Sequence, residues 1–219
     1  MLGRPDSQTI AGPAGLIEVV VDEPAGAPIG LAVLAHPHPL MGGTMDNKVV
    51  HTLARAFVLA GWRAVRFNFR GVGRSEAAWD EGRGETADML AVLAHHHADP
   101  AVRVLPVALA GFSFGGFIAA QAHAQLVQAA ADQSALTVPS QLVLISPATS
   151  RFEVPTVPAH TLVVEGEQDD VVPLSSILDW ARPQHLPVTV VPGAGHFYHG
   201  QLAPLREIVL RHLRAARLN

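Results

Sequence analysis

Attack on a carbonyl carbon needs a hydroxyl or thiol, a base to take its proton, and a carboxylate to orient that base and balance its charge. The chain has no cysteine, so a hydroxyl is required, and Ser113 is the serine placed for the task. It stands at the centre of G-F-S-F-G, residues 111–115, after an apolar run shaped like a buried strand and before a small-residue run shaped like a helix. In a strand-turn-helix context this spacing puts the serine on a tight turn. A β-carbon two residues to either side would strike neighbouring backbone there, and Gly111 and Gly115 occupy those two places. The first amides of the helix then face whatever the hydroxyl attacks. A plain helix cap is the other role open to Ser113.

Whether a base and an acid follow decides between the two roles. The loop G-E-Q-D-D-V-V-P supplies Asp169 and Asp170, and P-G-A-G-H-F-Y-H supplies His196 and His199. His196 precedes the closing helical stretch by several residues and can reach back toward the serine. His199 stands at the start of that stretch, so His196 is the expected base and His199 the alternative.

The elements that must position these residues alternate. T-I-A-G-P-A-G-L-I-E-V-V-V reads as an antiparallel edge hairpin around Gly12 to Gly15. An apolar run from 29 to 35 reads as a strand buried on both faces. Val50, Leu53, Ala54 and Phe57 form one face of a helix that Asp46 or Asn47 can cap and Gly61 ends. Further strands are expected over 63–67, 104–110, 141–145, 161–165 and 188–191. Helices are expected over 85–97, from just after 113, over 175–182 and over 201–218. Arginines at 211, 214 and 217 suit the last helix's C-terminal end. Alternation of this kind implies a doubly wound, mostly parallel sheet, with the loops after the strands gathered along one edge.

Composition bounds the rest. With 49% hydrophobic and 16% charged residues in 219, the chain suits one domain over 1–219, with 1–7 as a flexible tail. A formal charge of -4 and no run of Lys or Arg leave out the electrostatic footprint of a nucleic-acid binder. Residues 104–131 carry no charged side chain, but glycines at 111, 115 and 116 break them into two elements, so no membrane span is expected. Nothing at the N-terminus reads as a signal peptide, which makes the cytoplasm the default location.

Over nearly its whole length the chain resembles an α/β-hydrolase. G-F-S-F-G-G is similar to the nucleophile elbow, G-E-Q-D-D-V-V-P to the acid loop, and G-A-G-H-F-Y-H-G to the histidine loop. Within that superfamily, A-H-P-H-P-L-M-G-G-T-M-D-N-K-V-V with R-F-N-F-R-G-V-G-R-S resembles a group of small bacterial serine hydrolases without a lid. This group neighbours the dienelactone hydrolases, which typically use a cysteine nucleophile. The resemblance implies a Ser113, Asp169, His196 triad, because G-x-x-D-x-x-V-P aligns Gly166, Asp169, Val172 and Pro173 and leaves Asp170 as the alternative. It implies an oxyanion hole made of the Phe114 amide and the His38 amide, with Leu40 as the fallback donor. Pro37 stands where such loops carry glycine.

The span after Ile145, S-P-A-T-S-R-F-E-V-P-T-V-P-A-H, is too short for a helical cap, so an open site is expected. Leu40, Phe112, Phe197 and Tyr198 are candidates for its wall, with Phe114, Phe69 and Trp79 nearby, and packing under the sheet edge is the expected role of at least half of the aromatics. His95, His96 and His97 read as a solvated helix end rather than a metal cluster, and the glycines of R-G-V-G-R as a turn tied down by Arg70. No metal or cofactor is expected. The implied activity is hydrolysis of a small-molecule ester or thioester through an acyl-enzyme. An acyltransferase, a peptidase or a non-catalytic binding protein are the alternatives, and the oligomeric state is left open.

Overall fold

The computed structural model describes residues 6–131 and 138–216, and Arg217, Leu218 and most of the N-terminal tail lie outside these. The hairpin forms from β1 (Gln8–Gly12) and β2 (Gly15–Asp22). There follow β3 (Leu31–Ala35), α1 (Lys48–Leu59), β4 (Arg63–Phe67), α2 (Arg83–His97), β5 (Val107–Phe112) and α3 (Phe114–Ala131). The chain then runs through β6 (Gln141–Ile145), β7 (Leu162–Gly166), α4 (Leu174–Ala181), β8 (Val188–Val191) and α5 (Leu202–Ala215). All strands join one eight-stranded sheet in the order β1-β2-β4-β3-β5-β6-β7-β8. The first two strands run antiparallel and the rest parallel.

Register sets the working edge. Ala35 pairs Gly111, Phe112 pairs Ile145, and Gly166 pairs Val191, so β3, β5, β6, β7 and β8 end together. The residues after these ends are the loops that carry the candidate chemistry. The sheet is covered on both sides. Val49, Leu53 and Phe57 of α1 and Leu205, Val209 and Leu213 of α5 pack on one face; Met89 of α2, Ile118 of α3 and Ile177 of α4 pack on the other. Each such side chain removed from water contributes roughly 1.5–3 kcal/mol, which is why the central strands read as unbroken apolar runs.

Element ends depart from the sequence reading for local reasons. Strand β5 starts at 107, not 104, because Pro106 has no N–H and spends its carbonyl on Leu31 N–H (3.0 Å), while 99–105 form a turn. Helix α2 starts two residues early because Glu85 reaches back to the amides of Gly82 (2.8 Å) and Asp80 (3.0 Å). Asn47, not Asp46, caps α1, accepting from Val49 N–H at 2.9 Å. The histidine run is not a solvated end as a whole, since His96 is buried in the middle of it. Arg70 does tie its loop, gripping Asp88 with two nitrogens (2.9 and 2.8 Å) and Gly84 O (2.8 Å). Among the described residues no helix is long and apolar enough to cross a membrane, and residues 107–131 divide into β5 and α3.

Candidate active site

Ser113 joins β5 to α3 with a φ of 56°, a left-handed conformation that costs a non-glycine residue on the order of 1–3 kcal/mol. The surroundings impose it. Ser113 N–H donates to Ile145 O (2.9 Å), and its carbonyl accepts from the amides of Gly116 (2.9 Å), Ala148 (3.2 Å) and Phe117 (3.3 Å). A β-carbon on Gly111 would overlap the Gly115 carbonyl, and one on Gly115 would overlap the Ala35 carbonyl at the end of β3. The two glycines therefore let β5, α3 and β3 close around the serine.

Asp169 and His196 come to the same point from the loops after β7 and β8. His196 Nε2 lies 3.1 Å from Ser113 Oγ, and His196 Nδ1 lies 2.6 Å from Asp169 Oδ2. The other Asp169 oxygen accepts from the amides of Val171 (2.9 Å) and Val172 (2.7 Å). Burial pushes the Asp169 carboxyl up, but the His196 bond and the Val172 amide outweigh it and hold the carboxyl below its ordinary range. The His196 ring rests on Phe112, with centroids 4.8 Å apart, and meets Phe197 edge-on at 5.1 Å. Asp170 is exposed on the cleft wall, and the exposed His199 lies against Phe197.

A cleft of about 370 Å³ opens above these residues, lined among others by His38, Met41, Ser113, Phe114, Ala148, Arg151, Phe152, Val172, His196 and Phe197. The amides of Phe114 and His38 have no protein acceptor among the described residues. His38 also contributes its ring, packed against Trp79 (4.6 Å), Phe114 (5.0 Å) and Phe152 (6.1 Å). Burial, with Arg151 nearby, lowers the pKa of that ring and favours its neutral form. Behind it, His36 donates from Nδ1 to Pro37 O (2.6 Å) and accepts Phe69 N–H at Nε2 (3.0 Å), fastening the end of β3 to the end of β4.

Three of the four expected wall residues do not line the cleft. The Leu40 side chain is 68% exposed, on the outer side of a short 3-10 turn over Pro39–Met41, and Met41 faces the cleft instead. Strand alternation sends Phe112 to the α1 and α5 side of the sheet, where it is a floor for His196. Tyr198 is fully buried, its phenol hydrogen-bonded to Ser146 Oγ (3.1 Å) and Val164 O (3.3 Å). Phe197 does line the cleft. The sequence reading missed Phe152, which stacks on Phe117 at 4.8 Å, although an aromatic in so short a link between two parallel strands was a usable signal. Among the described residues no group of three or more His, Asp or Glu could hold a metal ion.

The sequence profile described as "Alpha/beta hydrolase domain" matches residues 30–204. An alpha-beta serine hydrolase homologue from Coxiella burnetii is 36% identical, covering 97% of this chain and 99% of its own, with a TM-score of 0.79. An a/b serine hydrolase without lid from Xanthomonas campestris is 33% identical, covering 98% of this chain and 96% of its own, with a TM-score of 0.84. A dienelactone hydrolase from Anabaena variabilis shares the fold at 16% identity, with a TM-score of 0.73 and coverage of 97% and 98%.

Proposed function

The chain belongs to the alpha/beta hydrolase domain family, as one of its lidless serine-hydrolase-like members, and from that premise we propose that it cleaves small carboxylic esters or thioesters through an acyl-enzyme. The observation that carries the reading is the line of contacts from Ser113 Oγ to His196 Nε2 (3.1 Å) and from Nδ1 to Asp169 (2.6 Å), at the floor of an uncovered, mainly apolar cleft. Ser113 Oγ attacks the carbonyl carbon while its proton passes to His196 Nε2, and Asp169 stabilises the imidazolium through Nδ1–H. The free amides of Phe114 and His38 receive the oxygen that turns negative in the tetrahedral intermediate. Collapse breaks the bond to the leaving alcohol or thiol, which takes the Nε2 proton. Water then gives its proton to Nε2, adds to the acyl carbon and releases the acid and the free serine.

The wall of Phe114, Phe152, Val172 and Phe197 suits a short acyl chain or a small aromatic group. One sheet and two flanking cores support treating the chain as one domain. The test is a fluorophosphonate probe with short-chain p-nitrophenyl esters. The probe should label Ser113 and the esters should be hydrolysed, and Ser113→Ala should abolish both. Full esterase activity in that variant would refute the proposal.

A further inference from the structure

We propose that Glu165 is a protonated carboxylic acid that donates a hydrogen bond to the Asp169 carboxylate, a positioning residue that holds the acid in place for His196. The inference rests on the hydrolase reading above and names a fourth member of its site. Glu165 is fully buried at the end of β7, four residues before Asp169.

Counting donors gives the proton's place. Tyr198 O–H has Ser146 Oγ (3.1 Å) and Val164 O (3.3 Å) as its acceptors. Ser146 O–H donates to Glu165 Oε1 at 3.1 Å, and Gly166 N–H donates to the same oxygen at 3.0 Å. Glu165 Oε1 is thereby satisfied, while Oε2 is buried with no donor reaching it. The neighbour within hydrogen-bond reach of the side chain is Asp169, which itself takes two backbone amides and the His196 proton and has acceptor capacity left. Two carboxylates facing each other in this setting would leave one oxygen orphaned and two charges unbalanced, whereas a proton on Oε2 resolves both.

Among the described residues no Lys or Arg pairs with either carboxyl, and Asp169 pairs only with His196. Strands β6 and β8 carry no titratable residue, and the one on α4, Asp179, is exposed and paired with Arg182. Asp169 and the phenol of Tyr198 are the titratable groups that act on Glu165, with His196 beyond Asp169, and among the described residues no Lys, Arg or His forms an ion pair with it. Burial first, then Asp169, pushes the Glu165 carboxyl up to about 9. At neutral pH the acid therefore adds a donor and no charge, so the negative charge on Asp169 stays available to the imidazolium. Ionisation at high pH would turn that donor into a repelling neighbour.

The experiment is the rate of fluorophosphonate labelling of Ser113, resolved into probe affinity and inactivation step, from neutral to alkaline pH in the full-length protein. Wild type should lose labelling rate along an alkaline limb centred near pH 9. Glu165→Gln keeps a donor toward Asp169 and cannot ionise, so it should label within about 3-fold of wild type at neutral pH and lack that limb. Glu165→Leu should lower the inactivation step by about 10- to 100-fold with little change in probe affinity. Should that variant not fold, infrared spectra of wild type and Glu165→Gln at neutral pH decide alone, because the carbonyl stretch of a buried protonated acid should be present in the first and absent from the second. An unchanged alkaline limb in Glu165→Gln, a wild-type rate in Glu165→Leu, or no such infrared band in wild type would overturn the proposal. Failure of wild type to label, or labelling that persists in Ser113→Ala, would instead sink the serine-hydrolase reading, and the infrared band would still report on Glu165.

Discussion

Asp169 and Asp170 are neighbours with the same side chain and different surroundings. The first is buried against two amides and His196, and the second is exposed on the cleft wall. Asp169→Asn would present an amide N–H to His196 Nδ1 and favour the wrong tautomer, so kcat for ester hydrolysis should fall by about 10³- to 10⁴-fold with KM little changed. Asp170→Asn should stay within about 3-fold, because Asp170 makes no hydrogen bond or ion pair with His196. Steady-state kinetics on a p-nitrophenyl ester separates the two. That Ser113 and His196 would meet was legible in the sequence because glycines and loops punctuate their surroundings. Glu165 was not, since nothing in V-V-E-G says that a strand end is covered by Tyr198 and Ser146, residues 33 and 19 positions away. The directions of Phe112 and Tyr198 were hidden for the same reason: adjacency in sequence to a catalytic candidate says nothing of which side of the sheet a ring enters.

At the scale of elements, the elbow ties three segments together through one missing atom. In Gly115→Ala the new methyl would meet backbone of Ala35 and His36, so either α3 or the end of β3 must shift, and the loop bearing the His38 amide moves with it. The expected cost is on the order of 1–3 kcal/mol in urea denaturation, together with a slower probe reaction at Ser113 in the protein that remains folded. Strands β4, β6 and β8 were readable to the residue because apolar runs bounded by Gly, Pro and polar residues leave little choice of ends. The early start of α2 was harder to read, because it depends on where the Glu85 carboxylate swings. His96 escaped notice because two neighbouring histidines disguised a residue that turns inward.

For the molecule as a whole, acid should be felt first through buried imidazoles. Burial lowers both His36 and His96 to about 4 from the ordinary 6.5. As pH falls below 6.5 the unfolded chain binds protons that the folded chain refuses, so stability held above that pH is lost progressively toward pH 4. Each group is worth roughly 3 kcal/mol at most across that span. Glu18, held at about 2 by hydrogen bonds from Arg74, Ser7 and Asn68 that outweigh its burial, weakens the fold only below its ordinary 4.5. His96 Nε2 has no partner and lies away from the cleft, so His96→Leu should flatten the fall of the melting temperature between pH 6.5 and 4 while leaving esterase activity unchanged. The link between β6 and β7, residues 146–161, holds no helix or strand and gives the cleft one side of its wall, through Ala148, Arg151 and Phe152, rather than a cap. A cleft without a cap has no cap closure to spend substrate binding on, and no capped state in which a correct substrate completes the site while a wrong one fails to. On the esterase reading, selection then rests on the contour of the cleft wall, where one methylene group is worth only about 10- to 200-fold, so a panel of p-nitrophenyl esters should show a broad acyl range.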